Sequence, residues 1–75
     1  MENNYSIRRT APKNNMIVRT AMSENGIALW LLAEILGISE STIVRWMRKE
    51  HSKDEQLRIA EMISEYAKSG EQNNG

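Results

Sequence analysis

The 75-residue chain contains no cysteine, so neither a disulfide nor a thiolate metal site can support its fold. It lacks any long apolar run. The longest, Ile27 to Ala33, has the length of a buried helix segment and falls far short of a membrane span. Proline occurs once, at Pro12, and glycine at Gly26, Gly37, Gly70 and Gly75, so breaks in a helical pattern are few and easily placed. Net charge is also missing: ten basic side chains balance ten acidic ones, which weighs against non-specific nucleic-acid binding. A chain of this length is one domain with a marginal core, and a partner chain is one way to bury more surface. The start, Met1-Glu2-Asn3-Asn4-Tyr5, is too polar for a signal peptide, and the expectation is a cytoplasmic protein.

The charge that is present is unevenly placed. Residues 1–20 carry Arg8, Arg9, Lys13 and Arg19 against Glu2, and residues 39–53 carry Arg45, Arg48, Lys49 and Lys53 against Glu40 and Glu50. Residues 21–38 carry only Glu24 and Glu34. Residues 54–75 carry Asp54, Glu55, Glu61, Glu65 and Glu71 against Arg58 and Lys68. Two basic segments and an acidic final third make a polarised molecule, in which a basic face coexists with a neutral total. The plainer reading is that these charges only solvate helix faces.

Helical periodicity divides the chain into four helices and no strand. Residues 1–13 have no period and read as an arm. Asn14 or Asn15 is placed to cap a helix from about Met16, with Ile17, Val18, Ala21 and Met22 at helical spacing and Gly26 past its end. Leu29, Leu32, Ala33 and Leu36 then form one apolar face of a helix from about Ala28, stopped by Gly37. The third helix, Ser39 to Lys49, has Ser39 as its cap, Glu40 in the first turn, and Ile43, Trp46 and Met47 as apolar positions. Ser52 and Glu55 form a capping-box pattern ahead of a fourth helix, whose stripe is Leu57, Ile59, Ala60, Met62, Ile63, Tyr66 and Ala67. Gly70 is expected to end it, leaving residues 70–75 as a disordered tail. The fold class is therefore all-α, a compact four-helix domain over 14–69 between a flexible N-terminal arm and that tail.

The segment Ala28 to Lys49 holds the most information. Two short helices meet at Gly37-Ile38-Ser39. A steep crossing over so short a turn needs a small residue at closest approach (Ala33), a residue with positive φ in the turn (Gly37), and an apolar plug. Leu32, Leu36, Ile38, Ile43 and Trp46 are expected to form that plug.

With Leu32-Ala33-Glu34, Leu36-Gly37-Ile38-Ser39, Ser41-Thr42-Ile43 and Arg45-Trp46, the chain resembles the helix-turn-helix domain of the Cro and phage-repressor (XRE-like) type. The likeness spans about Asn14 to Lys68 and is strongest to short regulators of phages and mobile elements of Gram-positive bacteria. It implies a sequence-specific, repressor-like regulator that inserts helix 39–49 in the major groove of double-stranded DNA. Base contacts then fall on Ser39, Glu40, Ser41, Val44 and Arg45. Arg45 suits guanine O6 and N7, Glu40 suits cytosine N4, and Val44 suits a thymine methyl. Phosphate contacts fall on Arg48, Lys49 and Lys53. Leu29 stands where many members carry a phosphate-binding polar residue, which leaves the helix's own first amides for that task.

Other features keep two readings each. Arg8 and Arg9 of the arm suit phosphates or a minor groove, or belong to a solvated tail. Trp30 lies out of phase with the Leu29-Leu32-Leu36 stripe and fits a core edge, a DNA backbone or a second chain; Trp46 reads as core. The stripe after residue 56 is either one wide core face or two flanks, one of them for a homodimer partner. No nucleophile has a base beside it, His51 stands alone, and neither a metal-ligand cluster nor a phosphate-binding glycine loop is visible, so no enzyme, cofactor or small-molecule substrate is expected. The competing functions are an antirepressor or small inhibitor that binds a protein partner through the same scaffold, and an excision or recombination accessory factor.

Overall fold

The computed structural model describes residues 14–74. Four helices follow in order: α1 (Met16–Asn25), α2 (Leu29–Leu36), α3 (Glu40–Met47) and α4 (Lys53–Asn74). No strand occurs among the described residues. The fold is all-α, as the periodicity implies. None of these helices is long and apolar enough to cross a membrane.

Glycine sets both early breaks. Gly26 and Gly37 are left-handed, with φ of 64° and 71°. In each case the glycine and the next residue return amides to the helix just ended: Gly37 to Glu34 O and Ile38 to Ala33 O, Gly26 to Ser23 O and Ile27 to Met22 O. Those paired bonds satisfy carbonyls that the helix end leaves open. α3 begins as expected, with Ser39 Oγ accepting from the Thr42 amide at 3.2 Å. α4 begins with Ser52 Oγ accepting from the Glu55 amide at 3.1 Å. Neither hydroxyl needs anything beyond its own turn.

α1 lies against α4, α2 against α3, and α2 also touches α4. Their shared core is Val18, Ile27, Leu32, Ala33, Ile43, Met47 and Ile63. Each fully buried aliphatic side chain in that set contributes about 1.5–3 kcal/mol of transfer free energy. Ala33 is buried where α2 meets its neighbours, so a larger side chain there would push them apart.

Several expectations need correction. α3 is shorter than Ser39 to Lys49: it ends at Met47, and Arg48 and Lys49 lie in the turn that follows. Gly70 does not stop α4, which continues to Asn74. Gly70 is not left-handed, and a lone helical glycine costs only about 1 kcal/mol relative to alanine, too little to break a long helix. Ile38 is exposed rather than part of the plug. Leu32 and Ile43 already fill the crossing with no accessible surface of their own. Of the two readings of the α4 stripe, a single wide core face does not hold: Ile63 is buried and Ile59, Ala60 and Ala67 are half-buried, whereas Leu57, Met62 and Tyr66 are exposed. The arm, with Arg8 and Arg9, lies outside the described residues.

Candidate nucleic-acid interface

One face of α3 is closed and the other open. Ile43 and Met47 are buried, and Trp46 is half-buried beside them. At about 100° per residue, positions i, i+4 and i+7 stack in one row. Ser41 and Arg45 stand in such a row, and Arg48, the first residue past α3 and still in right-handed helical backbone, continues it; all three are exposed. Val44, 38% exposed, borders it. These four side chains are the part of the expected site that shares one surface.

The other expected contacts are placed differently. Glu40 is exposed, yet its own row runs through Val44 to the buried Met47, so it stands to the side of the Ser41–Arg45–Arg48 row. Ser39 is engaged as the cap, and its Oγ also lies 2.8 Å from Thr42 Oγ1. Lys49 is exposed in the turn after α3, and Lys53 is exposed as the first residue of α4. The α2 start has no side-chain cap, since Ala28 occupies that position, so its first amides are not covered by a capping oxygen.

Clefts border α3 on both sides. One, of about 490 Å³, has Met22, Ile27, Leu29, Val44 and Met47 as its apolar lining and Arg19 and Arg48 among its polar residues. Leu29 thus belongs to an apolar surface beside the exposed row. The other cleft, of about 550 Å³, is lined by Thr42, Arg45, Trp46, Arg48, Lys49 and His51.

A polar clip fixes where α3 ends. Asn15 precedes α1 with φ of 60°, in the left-handed region that asparagine tolerates better than most residues. It makes no side-chain cap; its carboxamide is fully buried and turned across the molecule. Asn15 Nδ2 donates to Lys49 O at 2.9 Å and to Met47 O at 3.4 Å, and Oδ1 accepts from the His51 amide at 2.9 Å. Asn14 Nδ2 donates to Arg48 O at 2.7 Å. Glu50 accepts from the Asn15 amide at 2.9 Å and from Gln56 Nε2 at 3.0 Å. Gln56, itself buried, donates also to His51 O at 2.8 Å and accepts from the Ile17 amide at 3.1 Å. Every buried side-chain nitrogen and oxygen among the described residues has a partner.

Asn15, expected only as a cap, and Gln56, not singled out at all, are the positioning residues whose role the sequence did not reveal. Neither has a periodicity that marks it; the side-chain partners of Asn15 lie 32 to 36 residues away, and Gln56 joins the nearby Glu50 and His51 to Ile17, 39 residues away. His51, which stands alone in the sequence next to a helix end, bonds the Trp46 carbonyl in the last turn of α3 at 2.8 Å through Nε2 and stacks on the Trp46 ring with centroids 3.8 Å apart.

Compared with known proteins, the chain matches no family, no curated protein and no solved structure.

Proposed function

We propose that this protein is a sequence-specific DNA-binding regulator of repressor type, such as phages and mobile elements carry, which inserts α3 in the major groove. The observation that supports this reading most is the exposed row Ser41–Arg45–Arg48 with Val44 at its edge, on a short helix whose opposite face is buried. Arginine at the centre of such a row suits bidentate pairing with guanine, and the flanking valine suits a thymine methyl. Arg48, Lys49 and Lys53 supply phosphate contacts, and the uncapped first amides of α2 can add another. Two copies on a two-fold operator would double those contacts, and the exposed Met62 and Tyr66 of α4 are the surface we assign to their pairing.

The test is a mobility shift on duplexes selected from a random pool. Arg45→Ala should weaken the best site by about 1–3 kcal/mol and relax its preference at one base pair. A wild-type chain that retains no duplex at low salt would sink the proposal.

Trp30 favours a second reading, in which the partner is a protein. It is 55% exposed on α2, and an accessible tryptophan is a frequent anchor of protein interfaces. That reading expects a stoichiometric complex that Trp30→Ala abolishes and Arg45→Ala leaves intact.

A further inference from the structure

The cleft on the Trp46 side of α3 has a distinctive lining. Its six residues are Thr42, Arg45, Trp46, Arg48, Lys49 and His51. Three carry permanent positive charge, and no carboxylate is among them. One wall is aromatic and fixed. The Trp46 and His51 rings stack within 3° of parallel. His51 Nε2 donates to the Trp46 carbonyl at 2.8 Å, and Nδ1 lies 3.4 Å from Glu55 Oε1. The clip holds the same segment from beneath, through the His51 amide and carbonyl. The tethered His51 ring thus backs the Trp46 indole, and such preorganisation lowers the ordering cost of binding.

Cations alone would suit any anion, and an aromatic wall alone would suit any apolar ring. Their combination in one cleft suits a phosphate joined to a ring. We propose that this cleft seats one nucleotide unit, with its phosphate on Arg48 and Lys49 and its sugar or base against Trp46. The inference rests in part on the DNA-reading proposal: in a bound duplex the unit belongs to the strand that borders the groove entered by α3. Base-to-aromatic contact and phosphate neutralisation are the two general means by which proteins hold a strand without reading its sequence. Arg45 and Arg48 lie at the boundary, since both line the cleft and also stand in the exposed row.

Trp30→Phe leaves Trp46 as the single tryptophan and alters an exposed site, so its emission reports this cleft. Two probes are titrated separately: a random-sequence duplex pool at low salt, and thymidine 5′-monophosphate. Duplex binding is followed in parallel by anisotropy of a label on the DNA, and circular dichroism checks that each variant is folded. The expected result is saturable quenching of Trp46, weakened about fivefold by Lys49→Gln, as for loss of one exposed charge contact. Quenching by the duplex places the unit in a strand; quenching by the monophosphate alone identifies a free nucleotide. Duplex binding with unchanged Trp46 emission, or quenching indifferent to Lys49→Gln, would overturn the seat and leave the reading helix standing. A monophosphate response without duplex binding would do the reverse, and silence with both probes would overturn both.

Discussion

Replacing Asn15 by alanine tests whether the polar clip holds the site-bearing end of α3. The substitution removes two bonds of 2.9 Å, to Lys49 O and from the His51 amide, together with the longer one to Met47 O. Each good bond contributes about 1 kcal/mol net, and a buried partner left unpaired raises that loss. Alanine must also adopt a φ of 60° without asparagine's tolerance for it, which adds about 1 kcal/mol. The expected destabilisation is about 3 kcal/mol. A chain of this size has a total stability of roughly 4–11 kcal/mol, so the variant should stand close to its unfolding threshold. With a urea dependence of about 1 kcal/mol/M for so small a chain, the midpoint followed by circular dichroism should fall by about 3 M. Asn15→Gly separates the causes: it loses the same bonds but keeps the backbone at ease, and should cost about 1 kcal/mol less than alanine. An alanine variant within about 1 kcal/mol of wild type would refute the reasoning, as would a glycine variant no less stable than the native chain.

Three further expectations concern the helix ends. Gly37→Ala meets no atom within 4 Å, so its cost is purely conformational; it should be about 1–2 kcal/mol and lower the melting temperature by several degrees. Ser39→Ala should lose about 1 kcal/mol through the Thr42 amide, while Ala28→Ser should gain a similar amount by supplying the cap that α2 lacks. Paired thermal melts of the two variants check both signs. If DNA uses the first amides of α2, the stabilised Ala28→Ser chain should also bind duplex more weakly.

What could be read from the residues alone follows the range of each interaction. Gly26, Gly37, Ser39 and Ser52 were legible because a left-handed turn or a hydroxyl cap is completed within a few residues. The Ser41, Val44, Arg45 and Arg48 surface was legible because helical spacing fixes which side chains share a face. The roles of Asn15 and Gln56 were not, since each buried amide side chain is satisfied in part by backbone groups far along the chain, Lys49 O for Asn15 and the Ile17 amide for Gln56. Gly70 misled because glycine ends a helix only where the backbone turns left-handed, and at that position it does not. Leu57, Met62 and Tyr66 stayed open between core and free flank because periodicity marks the apolar residues of a long helix without showing how little of it the other helices cover. Arg48 and Lys49 were placed in the third helix, which ends just before them.

The clip also bears on the order in which the chain assembles. Its bonds join Asn14, Asn15 and Ile17 to residues 32 to 39 positions later, with α2 and α3 between them. The caps and the turns at Gly26 and Gly37 close within five residues. Loop-closure entropy therefore favours formation of the α2–α3 turn first and of the clip last. Bonds that form after the transition state do little to speed folding; they slow escape from the native state. The clip is thus a brake on unfolding, seated beside the end of the helix whose exposed face would meet DNA.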